Sequence, residues 1–328
     1  MKKLQPVNLC TLPTPLVEAS RLSAKLGGPR ILIKRDDLTG LAMGGNKGRC
    51  LEFLMAEAKD KDSDTLIAVG PQQSNWLCSV AAAGRKLGME VILFLLKGSN
   101  QFQGNLLLYK VLGAKINFTG TAINNLPMVY EQIEALSTQL RSQGHKPYVL
   151  RYGAASPLGM TGYVSLASEM FEQLREKKET AKYLFLASGS GCTQACLILG
   201  AKYHKVPMEV VGVMVDPRFT REEQVRIVAT EANETAGFLE LGFTIKPEDV
   251  ICTDKYLGSY GPTKKSIEAV RLVAETEGMF LDPIYTGKVM AALVDQIQSG
   301  KIKREDAVIL YHSGGLPAIF AHNEELVA

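Results

Sequence analysis

The sequence predicts an α/β protein with two open, twisted and mainly parallel sheets, each flanked by helices, and a cleft between them. Short apolar runs alternate with amphipathic patterns of helical length along most of the 328 residues. Apolar residues make up 46% of the chain and charged residues 22%, a balance typical of a globular protein with a sizeable core. Because strands joined by helices form parallel sheets covered on both faces, the alternation indicates βαβ units. The chain length predicts about two domains.

The first series of units extends to residue 150. The run Arg30–Lys34 is short and apolar, as in a buried strand, whereas Cys50–Ala58 carries its apolar residues at helical spacing. The same two patterns then alternate. Further strands are predicted at Thr65–Val69, Val91–Leu96, Lys115–Phe118 and Pro147–Leu150, and further helices at Asn75–Leu87, Asn105–Leu112 and Leu126–Gln143.

The second series follows a break at Gly153–Gly159, a segment rich in Gly, Ser and Pro. Helices are predicted at Gly162–Lys177, Thr193–Tyr203, Lys264–Glu277 and Lys288–Ser299, and strands at Tyr183–Ala187, Glu209–Val215 and Ala307–Tyr311. In open sheets of this kind, ligands bind outside the carboxyl ends of the strands. The strand-to-helix turns are therefore the candidate functional sites.

Charge and cysteine content exclude several classes of function. The net charge of +3 favours neither a nucleic-acid nor a membrane-surface partner. The first residues carry two lysines without a following apolar run, so we expect no secretory signal. Six scattered cysteines do not resemble a disulfide framework, and they fit a reducing cytoplasm. Cys192 and Cys196 lack neighbouring His or carboxylate ligands, so we expect packing rather than a metal site.

The first candidate turn is Gly44-Gly45-Asn46-Lys47, at the start of a predicted helix. A helix N-terminus disfavours a cation, and a lysine engaged as an imine avoids much of that penalty. The two glycines remove side chains that would block a bulky cofactor. On this spacing alone, a solvated surface lysine is the commoner explanation.

The second candidate turn, Gly70–Asn75, follows a buried strand. Ser74 or Asn75 can cap the next helix, which is a purely structural role. The same helix N-terminus, with its free N–H groups, can equally bind a substrate carboxylate.

The third candidate turn is Ser188-Gly189-Ser190-Gly191-Cys192-Thr193. Successive glycines allow the backbone N–H groups to form an anion-binding nest, assisted by hydroxyls and the helix dipole. The turn matches neither the dinucleotide-binding nor the Walker pattern, so a monophosphate fits it better than a nucleotide. A tight turn without a ligand remains the alternative. A further turn of this kind follows the last strand at His312-Ser313-Gly314-Gly315, where we expect His312 to be a packed residue.

In this order, the turns resemble those of the pyridoxal 5′-phosphate (PLP) dependent family of 1-aminocyclopropane-1-carboxylate (ACC) deaminases and D-cysteine desulfhydrases. This family has the tryptophan-synthase-β fold, PLP fold type II. The resemblance covers nearly the whole chain. It is carried by Ile33–Gly40, Gly44–Lys47, Gln73–Asn75, Gly104–Leu108, Gly153–Gly159, Gly189–Gln194, Asp282–Lys288 and His312–Pro317.

The resemblance implies a role for each of these turns. Lys47 would form the Schiff base, and Asn75 would contact the ring hydroxyl of the cofactor. Ser74 would lie at the substrate carboxylate and the reacting carbon. Tyr260 and Tyr285 match the two active-site tyrosines of the family, although isolated tyrosines are more often packing residues. The phosphate would lie in the turn formed by Ser188, Gly189, Ser190, Gly191, Cys192 and Thr193.

The resemblance also implies a domain organisation and an oligomeric state. Residues 1–50 and 158–328 would form a large PLP-binding domain, and residues 51–157 a small inserted α/β domain. Homodimers are usual for such enzymes, and two-fold dimers are the commonest oligomers, so we expect a homodimer. The expected partner is a small amino-acid substrate.

The reaction is predicted from the two positions that face the pyridine nitrogen in the family. ACC deaminases resemble Tyr-Glu-Gly-Lys and His-Leu-Gly-Gly there, whereas this chain has Thr286 and Ser313 at the diagnostic positions. Hydroxyls leave the ring nearly neutral, which suffices when a good leaving group departs from the β-carbon. We therefore expect a lyase that converts D-cysteine to pyruvate, hydrogen sulfide and ammonia, with Lys47 taking the Cα proton.

Several departures from the family leave alternatives open. Gly48 and Cys50 replace Thr and Lys, Trp76 replaces a common His beside the substrate site, and Cys192 replaces a small residue, usually Gly. We expect Trp76 among the substrate-binding residues, together with Ser74 and Asn75, and its large ring can shrink or redirect the pocket. The alternatives are an ACC deaminase, a cysteate sulfo-lyase type of activity, or a PLP-binding protein with little turnover.

Overall fold

A computed structural model describes residues 5–327, apart from the side chain of Ala154. The strands are β1 Leu16–Glu18, β2 Arg30–Arg35, β3 Thr65–Gly70, β4 Glu90–Leu95, β5 Lys115–Phe118, β6 Pro147–Leu150, β7 Tyr183–Ser188, β8 Glu209–Met214, β9 Ile251–Thr253 and β10 Ala307–His312. The α-helices are α1 Ser20–Leu26, α2 Lys47–Asp60, α3 Asn75–Lys86, α4 Gly104–Val111, α5 Leu126–Ser142, α6 Pro157–Glu176, α7 Cys192–Tyr203, α8 Arg221–Phe238, α9 Lys264–Glu277, α10 Thr286–Gln298, α11 Pro317–Ala321 and α12 Asn323–Val327.

The strands form two sheets, as the sequence predicts. The larger sheet has the order β1-β2-β10-β7-β8-β9, and only β1 runs antiparallel to its neighbour. The smaller sheet has the order β5-β4-β3-β6 and is parallel throughout. The central strands β3, β7 and β10 are almost entirely buried, which explains why they appear in the sequence as unbroken apolar runs.

Several elements differ from the sequence prediction in their bounds or their existence. Strands β1 and β9 and helices α1, α11 and α12 were not predicted. Helix α2 begins at Lys47, three residues before its apolar pattern becomes visible. Helix α6 begins at Pro157, because Ser156 caps it by accepting a hydrogen bond from the Gly159 N–H. Helix α8 was not predicted, although Thr220 and Glu223 form a reciprocal capping box at its start.

The predicted domain boundaries remain a prediction. The boundary after residue 50 falls inside α2, and the boundary after residue 157 falls at the start of α6. All four strands of the smaller sheet lie between residues 65 and 150, within the segment predicted as the inserted domain.

A buried cluster of four charged side chains anchors the first turn of α2. The Arg49 guanidinium donates two hydrogen bonds to Asp36, at 2.7 and 2.8 Å, and two to Glu169, both at 2.9 Å. Lys34 donates to the same Glu169 at 2.5 Å. Two cations therefore face two carboxylates, and the cluster ties α2 to the end of β2 and to α6.

No helix in residues 5–327 is long and apolar enough to cross a membrane. All six cysteines are buried free thiols. Within the described part of the chain, His, Cys, Asp and Glu side chains form no group of three that could hold a metal ion.

Candidate active site

One cavity collects the strand-to-helix turns of both sheets. It lies at the carboxyl ends of β3, β7, β8 and β10, as expected for a parallel α/β fold. Its lining consists of Gly44–Lys47, Pro71, Ser74–Trp76, Ser79, Tyr152, Gly153, Ala187, Gly189–Gly191, Thr193, Val215, Asp216, Arg218, Tyr260, Tyr285 and Ser313–Gly315. Three of the predicted site residues, Ser188, Cys192 and Thr286, do not line it.

Lys47 is half-buried in this lining, at the first position of α2. Its Nζ has no hydrogen bond or ion pair within residues 5–327, and it lies 5.9 Å from the centroid of the Tyr163 ring. The preceding Asn46 holds the turn in place: its N–H donates to the Ser313 carbonyl and its amide to the Thr193 hydroxyl. The turn that carries Lys47 is therefore held in place, whereas the Lys47 amine has no bonding partner.

The glycines before Lys47 are required by close backbone contacts. Gly44 has φ +73°, and a Cβ at this position would lie 1.8 Å from the Asp37 carbonyl oxygen. A Cβ on Gly314, which has φ +94°, would lie 2.6 Å from the Cα of Gly45. Only glycine allows the turns after β2 and β10 to pack this closely beside the lysine.

The turn Ser188–Thr193 presents backbone N–H groups to the cavity. The N–H groups of Gly189, Ser190 and Gly191 donate to no atom of the described residues, and α7 starts directly afterwards. The first N–H groups of a helix have no intrahelical acceptor, and they lie at the positive end of its dipole. Gly191 adopts φ +83°, so the turn reverses direction there. Such an arrangement can bind an anion.

The side chains of Ser188 and Cys192 contact this turn but do not line the cavity. The buried Ser188 hydroxyl donates to Gln194 at 2.7 Å and accepts from Gln224 at 2.9 Å. Cys192 is fully buried, and its sulfur lies 3.4 Å from the Ser190 hydroxyl. Burial raises the pKa of the Cys192 thiol to about 12, so it stays protonated at neutral pH.

The start of α3 forms the opposite wall. Ser74 caps the helix by accepting a hydrogen bond from the Leu77 N–H, the structural role that the sequence left open. Asn75 uses its Oδ1 to accept from Asn105 at 2.8 Å, and its Nδ2 has no partner within the described chain. Trp76 is 3% exposed, and its indole N–H has no acceptor there either.

The two predicted tyrosines meet at the cavity. The hydroxyls of Tyr260 and Tyr285 lie 2.5 Å apart, with the rings nearly perpendicular at 86°. Burial of the hydroxyl raises the pKa of Tyr285 well above its usual value, and the neighbouring Tyr260 adds to this rise. Tyr260 belongs to a loop that Lys288 holds in place. The Lys288 Nζ donates to the carbonyls of Leu257 and Ser259 at 2.6 and 3.0 Å.

Thr286 and Ser313, the two predicted diagnostic residues, have different surroundings. The buried Thr286 hydroxyl donates to Asp282 Oδ1 at 2.7 Å and accepts from the Asp282 N–H at 2.8 Å. The Thr286 hydroxyl is thus bonded to the residues that precede α10. Ser313 instead lines the cavity, and its hydroxyl has no partner within the described chain. His312 is 2% exposed and packed, as the sequence predicts. Its Nδ1 accepts from the Gly314 N–H, and Nε2 faces the Phe280 carbonyl.

Sequence reasoning missed a charged pair in the lining, Asp216 and Arg218. The Arg218 Nε donates to Asp216 at 2.9 Å, and its guanidinium lies 5.6 Å from the centroid of the Tyr152 ring. The signal was available, because Asp216 lies two residues after the end of β8, at the same sheet edge as the other turns.

Comparison with known proteins identifies the family. Residues 7–314 match the profile of the family described as pyridoxal-phosphate dependent enzyme. The chain belongs to this family. Among its members, a D-cysteine desulfhydrase of Klebsiella pneumoniae (strain 342) is 37% identical over 327 residues, 98% of this chain and 97% of the relative. A D-cysteine desulfhydrase of Salmonella typhi is 37% identical over 324 residues, 97% and 96% of the two chains.

Two solved structures agree with this chain in fold. The crystal structure of an ACC deaminase homologue has a TM-score of 0.88 and 32% identity, and it covers 99% of this chain and 96% of its own. A processed form of threonine deaminase isoform 2 from Solanum lycopersicum has a TM-score of 0.66 at 16% identity, with 97% and 83% coverage. The second likeness concerns the fold alone. The predicted PLP fold type II and the predicted cofactor are confirmed.

The cavity itself fits PLP in this PLP-dependent enzyme. The cofactor carries an aldehyde, a phosphate and a ring hydroxyl. The cavity offers the unpartnered Lys47 amine, the unpartnered N–H groups of residues 189–191, and the unpartnered Nδ2 of Asn75. None of these three groups has a partner within the described chain. A ligand that carries an aldehyde, a phosphate and a hydroxyl would supply a partner for each of them.

Proposed function

We propose that this enzyme is a lyase that eliminates sulfide from D-cysteine and yields pyruvate and ammonia. The observation that carries the proposal is the unpartnered Lys47 amine, which shares one cavity with an anion-binding turn and a capped helix N-terminus. Relatives named for the D-cysteine activity match over nearly their whole length, which supports the choice of substrate.

Lys47 is the proposed covalent anchor of the cofactor and the proposed base. PLP supplies an electron sink for the charge that develops when the substrate loses its Cα proton. Lys47 Nζ would take that proton. The absence of a carboxylate partner for Nζ within residues 5–327 favours this role, because the amine is then not held away from the substrate by an ion pair.

The cofactor phosphate is proposed to lie in the turn formed by Ser188, Gly189, Ser190, Gly191, Cys192 and Thr193. The contacts would come from the backbone N–H groups and the hydroxyls of Ser190 and Thr193, which line the cavity. Ser188 and Cys192 would hold the shape of the turn from its buried side. Asn75 Nδ2 would donate to the ring hydroxyl.

The substrate carboxylate is proposed to bind at the start of α3. Ser74 and the first N–H groups of the helix supply donors, and the helix dipole favours a negative charge there. The unpaired indole N–H of Trp76 is the proposed third donor, since a buried N–H without an acceptor costs about 1–3 kcal/mol. A bound carboxylate would remove this cost.

Tyr260 and Tyr285 are proposed to orient the substrate and to exclude water. Because the two hydroxyls share one short contact, one of them can donate to the departing sulfur while accepting from the other. The high pKa of Tyr285 keeps its proton in place at neutral pH.

Ser313 is the proposed hydroxyl partner of the pyridine nitrogen. The hydroxyl of Thr286, the other diagnostic residue, is bonded to Asp282. Its proposed contribution is that position 286 carries no carboxylate that could pair with the pyridine nitrogen. A hydroxyl partner keeps the ring nearly neutral. A nearly neutral ring is sufficient for losing a thiolate, whereas opening the ACC ring has no comparable leaving group.

The second candidate is deamination of ACC, which the structural similarity to an ACC deaminase homologue favours. The two candidates differ in product. D-cysteine would give hydrogen sulfide, whereas ACC would give ammonia without sulfide.

We also propose that the enzyme is a cytoplasmic homodimer. Two-fold dimers are the commonest oligomers, and six buried free thiols fit a reducing compartment. Light scattering of the purified protein at several concentrations tests the dimer, and a monomer at micromolar concentration would contradict it.

The test is an assay of purified protein with D-cysteine, L-cysteine, cysteate and ACC. We expect sulfide and pyruvate in a one-to-one ratio from D-cysteine, and a higher kcat/KM than with ACC. Lys47→Ala should remove the visible absorbance and the turnover while leaving the thermal unfolding of the apoprotein unchanged. Retained visible colour in Lys47→Ala would contradict the role of Lys47. A preference for ACC would replace the substrate, and a lack of turnover with all four would favour a PLP-binding protein.

A further inference from the structure

We propose that Asn105, which does not line the cavity, sets the direction of the Asn75 amide and thereby decides whether the ring hydroxyl of PLP meets a donor or an acceptor. Asn105 is a positioning residue in this proposal, because it acts only through Asn75. The inference rests on the proposed contact between Asn75 and the cofactor.

The first step is the orientation of Asn105 itself. Its Nδ2 lies 3.0 Å from the Gln73 carbonyl oxygen. A carbonyl oxygen only accepts hydrogen bonds, so the nitrogen end of the Asn105 amide must face it. The side chain is fully buried, and its backbone N–H donates to Gln73 Oε1 at 2.9 Å, which fixes the residue at the start of α4.

The second step passes this orientation to the cavity. The same Nδ2 of Asn105 lies 2.8 Å from the Asn75 side chain, so the atom that faces it must be the acceptor Oδ1. Asn75 must therefore turn its Nδ2 away from Asn105, and this donor has no partner within the described residues. Asn75 lines the cavity. A backbone carbonyl thus determines, through two amides, which atom of Asn75 is offered to a ligand.

The position of Asn105 leaves one buried polar atom unpaired, which indicates that the residue has a function beyond packing. The Oδ1 of Asn105 is buried without a hydrogen-bond partner. An apolar residue of similar size would avoid that unpaired oxygen, whereas only a side chain with two adjacent N–H donors can bridge Gln73 and Asn75 in this way. Without the bridge, the Asn75 amide can rotate, and its Oδ1 would then repel the ionised ring hydroxyl of PLP.

The test compares Asn105→Ala with Tyr109→Phe. Tyr109 lies one turn further along α4 and donates to the Ser74 carbonyl at 2.8 Å, so its variant also removes one buried hydrogen bond between α4 and the same loop. It leaves the Asn75 amide untouched. We expect Asn105→Ala to bind PLP on the order of tenfold more weakly, the loss of one well-oriented hydrogen bond to a charged group. Its absorbance should shift from the visible to the near-ultraviolet band, because the ring hydroxyl loses its donor.

Tyr109→Phe should keep the spectrum and the PLP affinity of the wild type. If Asn105→Ala does not fold, Asn105→Asp serves instead, since a carboxylate there attracts the Asn75 Nδ2 and reverses the amide. That variant should show the same spectral shift in a larger degree. Equal spectra in wild type, Asn105→Ala and Asn105→Asp would overturn the proposal, as would equal losses in Asn105→Ala and Tyr109→Phe.

Asn75→Ala separates this inference from the proposed function. If the wild type binds no PLP, the proposed function fails. If Asn75→Ala shifts the spectrum and Asn105→Ala does not, only the positioning role of Asn105 fails.

Discussion

Replacing Arg49 with Met should be among the most destabilising single changes outside the cavity. Arg49 is 1% exposed and donates five hydrogen bonds, two to Asp36, two to Glu169 and one to the Thr14 hydroxyl. Its removal leaves Asp36, which is fully buried, without a hydrogen-bonded cation. Glu169 is less affected, because Lys34 still donates to it.

The expected magnitude follows from the group left behind. Removing one partner of a buried ion pair costs about 3–5 kcal/mol of unfolding free energy, because the other charge remains desolvated. Asp36 retains hydrogen bonds from the hydroxyls of Tyr311 and Thr14, at 2.6 and 2.7 Å, so the lower half of this range is expected. Arg49→Lys keeps a charge but loses the planar fork, and it should cost roughly half as much.

The pH dependence gives a second measure of the same effect. In the wild type, burial raises the pKa of Asp36, but the charge and hydrogen bonds of Arg49 outweigh it and hold the pKa below its usual range. Without Arg49, burial dominates and the pKa rises above that of the unfolded chain. The folded variant then binds more protons than the unfolded chain, so its stability should fall as the pH rises from 5 to 8.

Urea unfolding of the apoprotein, followed by circular dichroism, measures these differences without the contribution of bound cofactor. The matched control is a double-mutant cycle of Arg49→Met and Asp36→Asn. The double variant should lose less unfolding free energy than the two single variants lose together. An Arg49→Met protein within 1 kcal/mol of the wild type, or additive effects in the cycle, would refute the reasoning.

Three further predictions concern the cavity and the loop beneath Tyr260. Gly191→Val should weaken PLP binding at least tenfold, because φ is +83° and a Cβ would lie 3.0 Å from a Val228 methyl. Gly189→Ala, whose Cβ meets only an ordinary contact at 3.5 Å, should weaken it less, and the reverse order in a PLP titration would place the phosphate elsewhere. Burial lowers the pKa of Lys288 to about 8, so the wild type should gain stability relative to Lys288→Met between pH 8 and 10; a pH-independent difference in urea unfolding would contradict this. Trp76→Phe keeps a ring but loses the indole N–H, and steady-state kinetics should show KM for D-cysteine raised about tenfold with a smaller change in kcat, whereas an unchanged KM would exclude the indole as a substrate donor.

The sequence by itself determined the fold class and the order of the candidate turns. Parallel strands that are buried on both faces must be continuous apolar runs, so β3, β7 and β10 are visible without tertiary information. The same rule located the turns that carry Lys47 and Ser190, because ligand sites in such folds follow the carboxyl ends of strands. Helix α8 was not predicted because its buried face, which includes Gln224, Thr235 and three alanines, gives only a weak apolar pattern.

Only the tertiary structure decided what each polar side chain in the turns is bonded to. Thr286 and Ser313 both carry hydroxyls in the sequence, but Asp282 engages the first and leaves the second at the cavity. Asn105 is 30 residues from Asn75, and its position opposite that amide depends on how α4 packs on the turn after β3. A hydrogen bond requires positions within a few tenths of an ångström, and local sequence patterns set periodicity and chain direction rather than distances of that kind.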